Sequence, residues 1–337
     1  MIHLITGITG IVGSRIAFEL LSRGEKVRGF CRESSDKGWV RRYFNFLHPS
    51  GNHWFNSIEW AHGDVSDIVS LQEAMQNIDQ VFHCAAVVSF HPSDHDMLHK
   101  INVEGTANVC NAALAAKIKT LCHISSTAAI GRSRPGEKIT EASEWQDSTL
   151  NSSYGISKRQ AENEVWRAQE EGLNVVIVNP SVILGAGPFD KSSATIFARV
   201  QKGLKFYPRG SNAFVAVGDV AHCAVELTLR GHFGQRYLIS GNNVSYREMF
   251  KTVAHSLYKE APKVEAKTWM LKTGLILEKL KEWLTGKKAM LTRESVRNAN
   301  NQVEYDSGRL LSALDFSFTS LEDSAKEVAD FFLQENS

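Results

Sequence analysis

The chain has 337 residues, enough for two domains and for a core that needs neither a disulfide nor a metal ion. Its 38 basic residues balance 37 acidic ones to a formal charge of +1, and 43% of its residues are hydrophobic. This composition is typical of a globular protein and excludes the broad basic surface of a nucleic-acid-binding protein, so we expect no nucleic-acid partner.

Short β-branched runs alternate with helical patterns through the first 240 residues. The predicted strands are Ile2–Thr6, Lys26–Cys31, Ile58–His62, Gln80–Cys84, Thr120–Ser125, Asn174–Asn179 and Arg236–Ser240. The predicted helices between them include Gly13–Arg23, Ser70–Gln76, Val103–Ala116 and Tyr154–Glu171. Several strands are apolar nearly throughout, as strands covered on both faces are. The alternation predicts βαβ units, and hence an α/β fold with a doubly wound parallel sheet.

The pattern changes after about residue 241, where helices dominate. We therefore predict that residues 1–180 form one domain, which a returning segment at about 218–240 completes. Residues 181–217 and 241–337 are predicted to form a smaller, mainly helical domain that covers the substrate.

The longest helical pattern, Val264–Arg293, is basic and amphipathic. Amphipathic helices most often face a core, which favours a lid that packs Trp269 and Trp283 on the smaller domain. A helix lying on a membrane surface is the alternative.

The first strand runs directly into a glycine-rich turn, Thr6–Gly13, and then into a helix. Glycines permit the tight turn and let backbone amides approach a pyrophosphate, which then lies at the positive end of the helix. This context, rather than the glycines alone, predicts dinucleotide binding. The predicted contacts are Gly7, Thr9, Gly10, Ile11, Val12 and Gly13.

The second strand ends at Cys31, and Arg32 follows where many NAD enzymes place an acid. A guanidinium suits the 2′-phosphate of NADP through charge-assisted hydrogen bonds. We therefore expect NADP, while NAD remains the alternative because Glu33 can reach a ribose. Asp64, after the third strand, can accept from the adenine amino group.

Ser126 follows the fifth strand, and Tyr154 and Lys158 are four residues apart on a predicted helix, so they share a face. A free phenol has a pKa near 10, and a neighbouring ammonium is expected to lower it toward a useful range. Ser126 is expected to hold the substrate oxygen by a hydrogen bond. These three residues predict acid–base catalysis by Tyr154.

Together these features resemble the extended short-chain dehydrogenase/reductase family, over roughly the first 240 residues. The matching stretches are TGITGIVG, GDV at 63–65, HCAA at 83–86, NVEGT at 102–106, ISS at 124–126, YGISK at 154–158 and NPSVILGAG at 179–187. The resemblance implies a Rossmann fold for the first domain, and a catalytic triad of Ser126, Tyr154 and Lys158. In the family, the lysine also binds the nicotinamide ribose.

The resemblance implies further site residues. It assigns Asn102 to a position behind the catalytic residues. It also implies cofactor contacts at Val65, Ala85, Ala86, Asn179, Ser181 and Val182. A homodimer through the helices at Val103–Ala116 and Tyr154–Glu171 is a hypothesis from the same source.

Within the family the chain is most similar to the dihydroflavonol reductase and 3β-hydroxysteroid dehydrogenase branch. Sugar dehydratases carry an Asp-Glu pair after the serine, where this chain has Thr127-Ala128-Ala129. Epimerases carry an arginine before an Asp-Val pair, where this chain has uncharged residues before Asp219. We therefore expect a reductase or dehydrogenase for an apolar carbonyl or alcohol, with pocket candidates Phe90, Phe189, Tyr207 and Phe214.

Two other functions remain open. A nucleotide-sugar epimerase would use the same triad, and a non-catalytic NADP-binding regulator would typically have lost the tyrosine or the lysine.

The remaining signals concern metals and location. His91, His95 and His99 are spaced like ligands on a helix face, but Pro92 and Ser93 predict a turn or cap there, so we expect no metal. The five scattered cysteines predict buried free thiols in a reducing compartment. We find no secretory leader pattern and no apolar run of membrane-spanning length, and we expect a cytoplasmic protein.

Overall fold

The computed structural model describes residues 1–131, 136–148, 151–190, 192–285, 288 and 292–336. Its strands are β1 Ile2–Thr6, β2 Lys26–Cys31, β3 Glu59–His62, β4 Gln80–His83, β5 Thr120–Ile124, β6 Asn174–Pro180, β7 Val182–Leu184, β8 Phe206–Tyr207, β9 Ser211–Ala216, β10 Gln235–Ile239, β11 Asn242–Ser245 and β12 Val264–Glu265. Its α-helices are α1 Ile11–Ser22, α2 Gly38–Leu47, α3 Gly51–Asn56, α4 Ile68–Ala74, α5 His95–Leu98, α6 Gly105–Ala115, α7 Ser153–Glu170, α8 Thr195–Gln201, α9 Val217–Leu229, α10 Tyr246–Ser256, α11 Thr268–Thr285, α12 Arg293–Asn300, α13 Gly308–Ala313 and α14 Leu321–Glu335.

Seven strands form one parallel sheet in the order β10-β6-β5-β4-β1-β2-β3. This confirms the predicted doubly wound parallel sheet, and all seven predicted strands are present within one residue at each end. Strand β1 pairs with β2 on one side and β4 on the other. The connections reverse direction at this point, and ligands of open α/β sheets bind beside the carboxyl ends of such strands.

The sheet separates two apolar cores because successive residues of a strand point to opposite faces. In β6, Val176 and Val178 belong to the core that also contains α1 and α9, while Val175 and Ile177 belong to the core beneath α4, α6 and α7. All four side chains are fully buried. The apolar strands therefore reflect cover on both faces, as predicted.

Two helical regions differ from the sequence-based expectation. Helices α2 and α3 were not predicted, although α2 buries Trp39, Tyr43 and Phe44 in the core that also contains α1 and α9. The predicted helix at Val103–Ala116 is the second half of a longer one, in which α5 and α6 are joined by a π-helical turn, His99–Glu104. Helical periodicity breaks at such a turn, which hides the first half from a search for a regular apolar stripe.

The second part of the chain is mainly helical, as predicted, and also contains short strands that were not predicted. A mixed three-stranded sheet, ordered β11-β9-β7, packs with α8, α10 and α14 around a third apolar core. A two-stranded sheet of β8 and β12 lies beside it.

Asp219, on α9, accepts hydrogen bonds from both the backbone amide and the hydroxyl of Thr319, at 2.8 and 2.6 Å.

Helix α11 does not pack as the lid interpretation requires. Trp269 is 65% exposed rather than packed on the second part of the chain, so that expectation is wrong for this residue. The side chains of Leu280 and Trp283 lie outside the described residues. Among the described residues, no helix is long and apolar enough to span a membrane.

Candidate active site

The glycine-rich turn lies at the carboxyl end of β1, where the chain must pass very close to itself. Gly7 has a φ of +67°, and a Cβ atom there would lie 2.7 Å from the backbone of Ala85. A Cβ on Gly13 would lie 2.4 Å from the Gly7 carbonyl oxygen. No side chain caps the amino end of α1, and no acidic residue lies in its first turn. Its free amide groups therefore form an anion site of the kind that a pyrophosphate occupies.

The next two strands end beside this turn with a group of polar residues. Arg32 is exposed, and its side chain makes no hydrogen bond or ion pair within the described part of the chain. Lys37 lies over the ring of Trp60 at 4.6 Å, and its Nζ is 3.4 Å from Nε2 of His62. Arg28 is not available to a ligand, because it donates to the carbonyls of residues 74 and 76 and pairs with Glu59. Arg32 is thus a cation that is free to meet an anion here.

Asp64 keeps its charge at this end of the cleft. Its Oδ1 accepts hydrogen bonds from the amide and the hydroxyl of Ser66, at 2.9 and 2.8 Å. Partial burial raises the pKa of Asp64, but the hydrogen bonds from Ser66 and the nearby Arg32 charge outweigh it and hold the pKa below its ordinary value. Val65 is buried against Gly105, while Ala85 and Ala86 border open space.

Ser126 and Tyr154 come together at the carboxyl end of β5. Ser126 follows the strand and its Oγ accepts from the amide of Ala128 at 3.2 Å, while Tyr154 lies in the first turn of α7. The Ser126 hydroxyl lies close enough to the Tyr154 hydroxyl to act on its pKa, and the rings of Phe90 and Tyr154 meet edge to face with centroids 5.9 Å apart. The structure thus brings together the serine and the tyrosine that sequence analysis singled out.

The pKa of Tyr154 differs from expectation. Burial raises it, and the nearby Ser126 hydroxyl offsets only part of the rise. The physical reason is the direction of Lys158, whose Nζ donates to the carbonyl oxygen of Ile124 at 2.8 Å. The ammonium is thus held by the backbone below the cleft, and at neutral pH the phenol keeps its proton.

Lys158 is itself an unusual group, because its side chain is almost completely buried. Burial lowers the pKa of Lys158 to about 8, against the opposing effect of the Glu162 carboxylate. Nε2 of His123 lies 3.4 Å from the lysine Nζ. Burial and the lysine charge hold the pKa of His123 well below its ordinary value, so the neutral imidazole accepts from the ammonium.

Glu162 is a site residue that sequence analysis missed. It is fully buried, and its Oε1 accepts from the Ser125 hydroxyl and the Asn179 amide, both at 2.5 Å. The same Asn179 amide donates to the backbone carbonyl of Ser126 at 2.9 Å. Glu162 therefore fixes the strand ends on which Ser126 stands. The signal was present, because Glu162 continues the four-residue spacing of Tyr154 and Lys158 along one helix face.

Asn102 lies behind the catalytic residues, inside the π-helical turn. Its side chain exchanges hydrogen bonds with both backbone groups of Val87, at 2.8 and 2.9 Å, and donates to the Ser157 hydroxyl at 3.0 Å. All its polar atoms are thus turned to protein groups. Asn102 ties the loop after β4 to α7, next to Lys158.

A buried chain of hydrogen bonds connects this asparagine to the glycine-rich turn. The hydroxyl of Thr106 donates to the Asn102 carbonyl at 2.6 Å, so His83 Nε2 must donate to Thr106, at 3.0 Å. His83 Nδ1 then accepts from the hydroxyl of Thr6, at 2.7 Å. Burial lowers the pKa of His83 to about 3, so the imidazole stays neutral.

The mouth of the site contains one of the four aromatic pocket candidates. Phe90 contacts Tyr154, but Phe189 packs on Phe331 and Phe332, and Phe214 and Tyr207 are buried. Phe214 belongs to an apolar core and the half-buried Phe189 packs against it, which is the usual place for aromatic residues. The expectation of a pocket role is therefore wrong for these two.

Other predicted residues lie nearby. Ser181 is buried and donates to the carbonyl of Ser240 at 2.7 Å, while Val182 begins β7. Thr127, next to Ser126 in sequence, is buried. Within the described residues, no three His, Cys, Asp or Glu side chains are grouped closely enough to hold a metal ion. All five cysteines are free thiols, as predicted.

Comparisons with known proteins show which proteins this chain is similar to. A family model described as the NAD dependent epimerase/dehydratase family matches residues 3–239. Sterol demethylase protein B of Methylococcus capsulatus is 31% identical over 257 residues, which cover 74% of this chain and 73% of that protein. A dihydroflavonol 4-reductase-like protein of Synechocystis is 27% identical over 336 residues, which cover 97% of this chain and 93% of that protein. The solved structure of gox2253 is 27% identical, with a TM-score of 0.81 over 99% of this chain and 98% of its own.

Proposed function

The chain belongs to the NAD dependent epimerase/dehydratase family, the extended short-chain dehydrogenases/reductases, and from this membership we propose an NADP-dependent oxidoreductase for apolar ketones, aldehydes or secondary alcohols. The family is one of NAD(P)-dependent enzymes; the choice of NADP and the substrate class are the proposal. The observation that carries it is the Ser126–Tyr154 hydroxyl pair beside Phe90, at the edge of the sheet where the glycine-rich turn ends.

The residues present fit a dinucleotide. No side chain caps the amino end of α1, and Gly7 passes close to Ala85 without a side chain of its own. The backbone amides there can therefore bind a pyrophosphate. In this proposal Arg32 meets the 2′-phosphate, Asp64 and Val65 the adenine, and Lys158 the nicotinamide ribose. Asn179, Ser181 and Val182 would lie near the nicotinamide, and residues 1–180 with 218–240 would form the binding unit. The bound nicotinamide supplies or accepts the hydride.

The protein's part in the reaction is to hold the substrate oxygen and move one proton. Ser126 donates a hydrogen bond to the carbonyl oxygen and orients it toward Tyr154. The Tyr154 hydroxyl then gives its proton to that oxygen, which becomes the alcohol. A raised pKa keeps this phenol protonated at neutral pH, which suits the direction of reduction. Lys158 and Asn102 lie behind the two hydroxyls. Lys158 contributes its positive charge, and Asn102 holds the neighbouring backbone in position.

An apolar substrate is supported by the mouth of the site and by relatives. Phe90 borders the tyrosine, and Lys202, Lys205 and Arg209, the cations that a nucleotide-sugar diphosphate would need, are all exposed. The Methylococcus relative is named for sterol demethylation, and the Synechocystis one for reduction of a dihydroflavonol. Both names describe bulky, largely apolar molecules.

The direct test is a spectrophotometric scan of NADPH oxidation against a panel of apolar ketones and aldehydes. We expect stoichiometric loss of NADPH with at least one class of them. An epimerase would return the hydride and give no net oxidation, and a regulator would bind NADPH without consuming it. Absence of turnover with every member of the panel would contradict the proposal.

We expect UDP and dTDP, at millimolar concentration, to give no thermal stabilisation beyond that from NADPH. Buried phosphates need paired cations, and the residues before Asp219 are uncharged. A ligand at 100 times its Kd stabilises a protein by about 2.7 kcal/mol, which is a shift of several degrees in Tm. Differential scanning fluorimetry measures this, with NADPH alone as the reference. A clear shift with either nucleotide would favour the epimerase instead.

We expect kcat/KM for reduction to fall as pH rises above about 8, the value to which burial brings the pKa of Lys158. Above that pH the lysine loses the charge with which, in this proposal, it holds the nicotinamide ribose. The carboxylate of Glu162 raises this pKa, so in Glu162→Gln the fall should begin at lower pH. Activity against pH in both proteins decides it. A profile flat to pH 10, or one that does not move in the variant, would exclude Lys158 as the titrating group.

A further inference from the structure

Helix α11 turns an apolar face away from the protein. Trp269, Ile276, Leu277 and Leu284 are exposed by 65, 68, 60 and 66%. At 100° per residue they fall within an arc of about 100°, so they form one stripe along the helix. No described side chain of α11 is buried. Scattered apolar residues on a surface need no explanation, but a continuous stripe marks an interaction site.

The opposite side of α11 is held to the protein, which fixes the direction of the stripe. Glu282 pairs with Nε2 of His91 at 2.9 Å, and Lys288, just beyond the helix, pairs with Asp94. Leu271 and Leu275, on the same side as Glu282, are half-buried. The helix therefore lies against the mouth of the candidate active site, with its apolar stripe outward.

The patch continues onto the small sheet that precedes the helix. Phe206 of β8 and Val264 of β12 are register partners and are exposed by 43 and 47%. Lys205, which precedes Phe206, and Lys267, three residues after Val264, are also exposed. The outward surface thus combines apolar side chains with lysines at its edge, and we call it the α11 face.

Charge indicates which partner this face fits. Nine of the 38 basic residues but only four of the 37 acidic ones lie in Lys259–Arg293, so a chain that is nearly neutral as a whole is locally basic here. Lysine is depleted in the cores of protein interfaces, and a second copy would bring like charges together. Lysines around an apolar stripe are instead the pattern of a helix that lies in the headgroup layer of an anionic bilayer.

We propose that the α11 face binds the surface of an anionic phospholipid bilayer, with Trp269, Ile276, Leu277 and Leu284 in the headgroup layer. The helix lies on the membrane surface and does not enter the bilayer fully, since the side of α11 that carries Glu282 stays in contact with the protein. The mouth beside His91 then opens near the lipid, where an apolar substrate would be concentrated; this last point rests on the proposed function, whereas the binding itself does not.

The test is co-sedimentation of the full-length protein with vesicles, without cofactor or substrate. We expect binding to phosphatidylcholine vesicles that contain one third phosphatidylglycerol, and much weaker binding to pure phosphatidylcholine. Ile276→Gln/Leu277→Gln should lower the partition coefficient about tenfold or more, because both side chains leave water on binding. The matched control is Val69→Gln/Leu311→Gln, which replaces apolar residues exposed by 58 and 47% elsewhere and should bind as the wild type does.

A charge variant gives a second, independent measurement. Lys267→Glu/Lys281→Glu should weaken binding to the anionic vesicles about tenfold or more, and added salt should do the same to the wild type. Unchanged thermal midpoints show that the variants fold. No binding to anionic vesicles, or equal binding by the wild type and the apolar double variant, would overturn the proposal. Light scattering that shows a dimer, lost in Ile276→Gln/Leu277→Gln, without vesicle binding would assign the face to a second copy and overturn it too. NADPH oxidation is measured separately, so either proposal can fail alone.

Discussion

Tyr154→Phe should abolish most of the turnover while NADPH still binds with wild-type affinity. The change removes one hydroxyl and leaves the ring in its contact with Phe90, so the shape of the site is kept. Proton transfer from a positioned side chain contributes about 10²–10⁴-fold, and kcat should fall by a factor in that range. Steady-state kinetics and a fluorescence titration of NADPH measure the two quantities.

The control for Tyr154→Phe is Tyr246→Phe, which removes a half-buried hydroxyl that accepts a hydrogen bond from the Asn212 side chain at 3.4 Å. This variant should keep its kcat. If Tyr154→Phe retains more than about a third of wild-type activity, the tyrosine is not the acid. If it loses NADPH as well, the hydroxyl acts in binding rather than in proton transfer.

Arg32→Ala should weaken NADPH and leave NADH nearly unchanged. The guanidinium is exposed and has no partner within the described residues, so its removal breaks no contact of the fold. Hydrogen bonds to charged groups contribute about 1.5–3 kcal/mol, which corresponds to a 10- to 150-fold loss of NADPH affinity. Titration of both cofactors into the wild type and the variant measures this.

Two further variants test whether the effect of Arg32→Ala is specific to this position and to the guanidinium. Lys26→Ala removes a cation from the opposite end of the same strand and should change neither affinity. Arg32→Lys keeps the charge but not the forked donors, and should fall between the wild type and Arg32→Ala. Equal wild-type affinity for NADPH and NADH would refute NADP preference and leave Glu33 as the candidate ribose ligand.

The sheet was predictable from sequence because its strands are short, apolar and separated by helices, and each of these signals is local. The helix around Asn102 was predicted only in part, because the π-helical turn breaks the periodicity on which such predictions depend. The pocket aromatics were misassigned for a related reason. Composition indicates that Phe189 and Phe214 are apolar, but only the fold decides whether an apolar side chain faces a cleft or the core.

The electrostatics of the candidate site could not be read from spacing alone. A separation of four residues correctly puts Tyr154 and Lys158 on one helix face. It does not reveal that the lysine ammonium donates a hydrogen bond to the carbonyl of Ile124. That contact depends on the position of β5. For the same reason the phenol pKa of Tyr154 is not lowered as expected: burial raises it.

The return of β10 to the central sheet has a consequence for how the chain acquires its structure. Strand β6 ends at Pro180, and its neighbour β10 begins only at Gln235, after the segment that builds much of the second region. Phe331 of the last helix also packs on Tyr43 of α2, with ring centroids 5.3 Å apart. During synthesis the early strands therefore wait with an open hydrogen-bonding edge and an uncovered apolar face until the carboxyl-terminal residues emerge. Such a chain is expected to fold late and slowly, and to be prone to aggregation if translation stops early.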